Sequence, residues 1–145
     1  MGRREFEFWE KQSQAGAGSA PAVFADSITP LFDAGLVDLI DLPHRLTDEI
    51  RLVSTPGHTP GHASVEIRSQ GEEGLITGDF IHHPCQMAVP DLAEIADTDG
   101  VMAGETRRRV LGACADRPIL VIGTHFARPV AGHVHADAGV FRFET

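Results

Sequence analysis

Stretches with a helical period and stretches with a strand period both run along this chain, and together they predict an α/β fold. Helical spacing shows first in the run "VFADSITPLFDAG", which brings Val23, Phe24, Ile28, Leu31 and Phe32 onto roughly one helical face. Strand spacing follows, where Ala63, Val65 and Ile67 alternate with Ser64, Glu66 and Arg68. The compact apolar runs "LITGDF" and "ILVIG" add two further strands.

Taken in order, Phe6 and Trp9 stand three apart and predict a short amphipathic helix over 4–12. The low-complexity piece "SQAGAGSAPA", 13–22, reads as a flexible loop. Pro30 is expected to kink or divide the helix that follows, and Gly35 to end it. Ile50, Leu52 and Val53 predict a short strand, 63–68 a half-buried one, and "QGEEG" the turn after it. A third strand, "LITGDF", ends on Gly-Asp. The stretch 82–100 reads as irregular and 103–115 as a helix, with 107–109 forming a solvated arginine face and 116–118 a break. "ILVIG" predicts a strand buried on both faces, and short strands near Val134 and over 140–143 close the chain.

Length bounds the chain to a single domain over 1–145. A 42% apolar content excludes a disordered chain. The net charge of −9 argues against a nucleic-acid or anionic membrane partner. No apolar run approaches a membrane span, and "MGRREFEFWEKQ" has no apolar signal-peptide core. Cys85 and Cys114 form neither a disulfide framework nor a Cys-x-x-Cys pair, which fits a reducing, cytoplasmic compartment.

Chemistry concentrates where strands end. "STPGHTPGHASVEI" delivers His58 and His62, "LITGDF" delivers Asp79, and "VIGTHF" delivers His125. Imidazole and carboxylate suit zinc or another borderline divalent metal, and rigid strand ends hold such groups well. The spacing is too wide for a zinc finger, so a long-range site is required. His62 reads as a residue that locks the turn. His82 and His83 read as pocket or structural groups, His44 as solvated, and Cys85 as lacking a base that would make it a nucleophile. "HVHAD" places His133, His135 and Asp137 on one strand face, which reads as solvated rather than as a ligand cluster.

"TPGHTPGH", "LITGDF" and "VIGTHF" together resemble the later motifs of the metallo-β-lactamase-fold hydrolases. "GDFIHHP" and "GTHFARPVAG" are similar to the branch containing methyl parathion hydrolase and lactonase-like enzymes. The resemblance implies an αββα sandwich, of which this chain supplies the C-terminal part: one mixed or antiparallel sheet plus helices. It implies two divalent metals, zinc first, with His58 and His125 as terminal ligands and Asp79 as the bridge; His82 is expected to line the pocket and act on the substrate. The implied reaction is hydrolysis of a lactone, ester or phosphotriester by metal-activated hydroxide, with a small-molecule substrate.

The family's His-x-His-x-Asp-His motif does not occur in this sequence. The resemblance therefore implies a truncated or split portion that binds metal weakly and hydrolyses little by itself. The alternative expectation is a non-catalytic remnant serving as a binding or assembly module. With half of the sandwich absent, the apolar sheet face is expected to be uncovered and to favour self-association.

Overall fold

In the computed structural model, which describes all 145 residues, the chain divides into two units, Met1–Asp41 and Leu42–Thr145. In the first, α1 (Arg3–Gln14) is followed by α2 (Ala20–Val23), a π-helical turn (Phe24–Ile28) and α3 (Thr29–Asp33). Pro30 has no N–H for the carbonyl four residues back, and its ring crowds that carbonyl. The helix responds by widening, and the Thr29 N–H reaches the Phe24 carbonyl.

The extra residue shifts the helical phase and splits the expected apolar face. Phe24 and Phe32 meet Phe6 with ring centroids 5.8 and 4.7 Å apart, whereas Val23 and Leu31 remain exposed. Gly35 ends the helix as expected. Its φ of 67° lets its own N–H reach Phe32 O at 2.9 Å and the Leu36 N–H reach Leu31 O at 3.0 Å. The expected flexible loop over 13–22 shrinks to 15–19, because α1 runs on to Gln14 and Pro21 starts the next helix.

The second unit is built on a seven-stranded sheet whose spatial order follows the sequence. Its strands are β1 (His44–Arg45), β2 (Ile50–Ser54), β3 (Ala63–Ser69), β4 (Glu72–Ile76), β5 (Ile119–Ile122), β6 (Ala131–Asp137) and β7 (Val140–Glu144). All neighbours are antiparallel except β4 and β5. Gln70 and Gly71, at φ 53° and 87°, form the two-residue β3–β4 turn. The turn is thus shorter than "QGEEG", and Glu72 to Gly74 are strand.

The parallel pair requires a crossover, which carries α4 (Cys85–Ala88) and α5 (Gly100–Cys114). The short α4 lies inside the stretch read as irregular. Asp99 caps α5, its Oδ1 accepting the Met102 N–H at 3.0 Å. The buried stripe of α5 is Ala103, Thr106, Arg107, Val110, Leu111 and Cys114, a helical period. It joins Leu75, Ile119, Val121 and Val134 in one core.

Two expectations fail here for one reason: α5 covers a single face of the sheet. Arg107 falls on the inward stripe and is wholly buried, so 107–109 is not a solvated face. Arg108 pairs with Asp91, and Arg109 donates to Ser54 O at 3.1 Å. β5 is buried on one side only: Ile119 and Val121 are inside, while Leu120 is 40% exposed. The same parity inverts β3, where Ser64 is wholly buried and Val65 and Ile67 are half-buried on the other face. No helix is long and apolar enough to cross a membrane.

Candidate metal centre

Three strands leave the sheet through a layer of buried hydroxyls. Thr55 follows β2, Ser64 lies near the start of β3, and Thr77 follows β4; all three are fully buried. The Asp79 N–H donates to His62 Nε2 at 2.7 Å, so His62 carries its proton on Nδ1. That Nδ1–H faces Thr55 O at 3.0 Å and Thr55 Oγ1 at 2.8 Å. Thr55 Oγ1 lies 2.9 Å from Ser64 Oγ, which donates to Thr77 O at 2.6 Å. The Thr124 N–H closes the layer on Thr77 Oγ1 at 3.1 Å. The hydroxyls of Thr55, Ser64 and Thr77 are each satisfied, and removing one would orphan its neighbour. The layer therefore fixes the loops after β2, β4 and β5 relative to one another. Gly78, at φ 59°, belongs to it: a Cβ there would stand 2.7 Å from His62 Nε2.

On this layer the structure brings His58, Asp79 and His125 together. Asp79 sits in the single 3₁₀ turn Gly78–Phe80 after β4. Its Oδ2 lies 3.6 Å from His58 Nε2 and its Oδ1 3.0 Å from His125 Nε2. The two imidazoles thus address different oxygens of one carboxylate. His82 fills the space beside them, stacked on His125 at 4.6 Å between centroids and 5.0 Å from His58. Burial, with His125 and His58 alongside, lowers the His82 pKa against the opposing pull of Asp79 and Glu94, which favours a neutral ring.

This donor set fits a divalent cation. His58, Asp79 and His82 each offer a ligand atom, all within 4.8 Å of one another, and His82 Nδ1 is buried with no hydrogen-bond partner. Imidazole nitrogens around a carboxylate are zinc-type donors.

Sequence reasoning missed the groups behind His58. Its Nδ1 lies 3.3 Å from Asp97 Oδ1. The Thr98 N–H donates to His58 O and the Asp99 N–H to Gly57 O, both at 2.9 Å. Gly57 lets α5 come this close, since a Cβ there would stand 2.4 Å from the Ala103 backbone. Arg107, wholly buried, approaches Asp97 Oδ2 at 3.5 Å. The available signal was an Asp-x-Asp just ahead of a helix with an arginine on its inward stripe.

The remaining candidates lie elsewhere. His44 is half-buried in β1 rather than solvated in a loop. His83 Nδ1 accepts the Cys85 N–H at 3.1 Å beside the short α4. His133 Nδ1 meets Ile119 O at 3.1 Å, and His135 pairs with Asp116 at 3.3 Å and Glu144 at 3.7 Å. Cys85 is exposed; Cys114 is buried, and burial pushes its thiol up to about 11.

No protein-family model and no curated protein matches the chain, but solved structures do. Hydrolase AbOPH, in the beta-lactamase superfamily, superposes on 98% of this chain and 52% of its own, with a TM-score of 0.86 and 25% identity. AidC, a dizinc quorum-quenching lactonase, covers 99% of this chain and 53% of its own, with a TM-score of 0.77 and 23% identity. A probable metal-dependent hydrolase from Staphylococcus aureus covers 77% and 41%, with a TM-score of 0.63 and 17% identity. The chain spans about half the length of the first two. Its mixed sheet and helices have the fold of the corresponding portion of a metallo-β-lactamase-superfamily hydrolase.

Proposed function

We propose that this chain carries part of the metal site of a metal-dependent hydrolase, with His58 and His125 as terminal ligands and Asp79 as the bridge. The observation that carries the reading is the Asp79 carboxylate offering one oxygen to each imidazole. A bound divalent cation, zinc first, supplies Lewis acidity and a water of lowered pKa. The chain's own residues orient that chemistry: His62 holds the Asp79 turn, and the neutral His82 ring lines the pocket. A lactone, ester or phosphotriester is the proposed substrate class; the quorum-quenching lactonase AidC among the structural neighbours supports the first of these.

One terminal histidine and a shared carboxylate fall short of the donor count that holds zinc tightly. We therefore expect this chain alone to take up zinc or cobalt at micromolar or weaker affinity, and to turn over lactone, aryl ester and phosphotriester substrates barely if at all. Calorimetric titration of the metal-free chain, with a hydrolysis panel beside it, tests both parts. No uptake, or uptake unchanged in Asp79→Asn, overturns the metal site. Sub-micromolar zinc affinity with turnover overturns the incompleteness.

A second reading, a binding or assembly module, is favoured by the other sheet face. Cross-strand register aligns Leu52, Val65 and Ile76, and Ile67 with Leu120, on the side opposite the α5 core. We expect this apolar face to pair with a second copy or another chain. Size exclusion over a range of concentrations checks it; a concentration-independent monomer with a cooperative melt counts against it.

A further inference from the structure

We propose that Asp97 is the positioning residue of this centre: it holds the proton of His58 on Nδ1, so that the lone pair of Nε2 faces Asp79. The proposal rests on reading His58 as a ligand, and it assigns the ring's tautomer to a residue outside every sequence motif.

The argument begins at the back of the site. The Asp97 side chain is 1% exposed, and its Oδ2 is ringed by donors. The Glu94 N–H reaches it at 2.9 Å, and both terminal nitrogens of Arg107 stand 3.5 Å away. Arg107 cannot turn aside, because its guanidinium also donates to Pro90 O at 2.7 Å and to Phe80 O and Leu92 O at 3.1 Å. A guanidinium accepts nothing, so Asp97 is held as an acceptor. His58 Nδ1, 3.3 Å from Oδ1, must then be the N–H. A neutral imidazole has one N–H, which leaves Nε2 with its lone pair 3.6 Å from Asp79 Oδ2. Two acceptors facing each other across that gap are what a cation between them would reconcile.

The backbone reinforces the assignment. Thr98 and Asp99 bond the carbonyls of His58 and Gly57, so the segment that presents Asp97 is bound to the segment that presents His58. Asp99 also caps α5, which carries Arg107. Ring, carboxylate and guanidinium are therefore set by one local arrangement, the kind of outer-shell support that fixes a ligating histidine.

Nitrogen-15 NMR of the histidine rings in the metal-free chain at pH 9, above the ordinary imidazole range, reads the tautomer directly. We expect His58 to be Nδ1–H in the wild type; an Nε2–H ring overturns the proposal without any variant. In Asp97→Asn the amide oxygen stays with Arg107 and the Glu94 N–H, which turns the NH₂ toward His58. The ring proton is then expected to move to Nε2, and zinc or cobalt affinity to fall about 10–100-fold. A variant that keeps Nδ1–H and binds within twofold of wild type overturns it. Asp91→Asn, which loses only an exposed pair with Arg108, is expected to change neither readout. A wild type that binds no metal defeats the metal reading, and the wild-type tautomer still decides the role of Asp97.

Discussion

The two sides of Asp79 are built differently. On one, His58 is 15% exposed, its ring backed by Asp97 and its carbonyl held by Thr98. On the other, His125 is 45% exposed; its ring hydrogen-bonds Asp79 and stacks on His82. The His58 side is thus preorganised by this chain alone, whereas His125 must give up rotamer freedom when it is engaged. One carboxylate thus joins a braced imidazole to an unbraced one.

The largest effect expected from breaking this contrast is structural. Replacing Arg107 with Met strands the buried Asp97 carboxylate and leaves the carbonyls of Pro90 and Phe80 without this donor, while Leu92 O keeps the Gln86 amide. Loss of one partner of such a buried pair costs about 3–5 kcal/mol, readable by urea unfolding. A loss below about 1 kcal/mol would mean that the brace behind His58 contributes little. Next comes Asp79→Asn. Because both imidazoles face that carboxylate, metal uptake is expected to fall by about 100-fold or more, measured by calorimetry. A smaller loss would show that the two sides bind independently.

The contrast itself is tested by comparing His58→Ala with His125→Ala. The preorganised ligand is expected to cost more when removed, with about a tenfold wider loss of cobalt affinity for His58. Equal losses would erase the distinction. His62→Ala belongs to a different class: it frees the Asp79 turn and opens the hydroxyl layer, so it is expected to lower stability by about 1–3 kcal/mol and to weaken metal binding less than His58→Ala does.

The sequence showed the strand ends and the polar residues on them, because Gly, Pro and His at those places are local features. It also placed the end of α3 at Gly35 and the break at Pro30, both consequences of backbone chemistry at single residues. What it hid depends on which sheet face receives α5. Arg107 stands in a run of three arginines that looks solvated, and only the helical stripe through Ala103, Val110 and Cys114 turns it inward. Ser64 looks like the polar side of an alternating strand, yet the polar side is the one facing the core, where Thr55 and Thr77 satisfy it. Leu120 looks buried from composition and is exposed by parity. Asp97 shows in the sequence only as the first residue of an Asp-x-Asp ahead of a helix; its role exists because the 97–99 backbone lies along 57–58.

The smallest expected effect probes whether α5, which carries the brace behind His58, is dry along its inward stripe. Cys114 lies on that stripe, and burial raises its thiol pKa from 9.0 to about 11. The folded state therefore keeps the proton through a window in which the unfolded chain has begun to release it. Between about pH 9 and 11 the unfolded state binds fewer protons, so stability falls as pH rises, by about 1–2 kcal/mol in total. Stability measured across that window should decline more steeply in wild type than in Cys114→Ala, whatever the offset between the two curves. At pH 8, a thiol reagent should modify exposed Cys85 at once and Cys114 only on unfolding. Parallel curves, or immediate modification of both thiols, would mean that water reaches the stripe, and that the guanidinium of Arg107 is less isolated from solvent than its burial indicates.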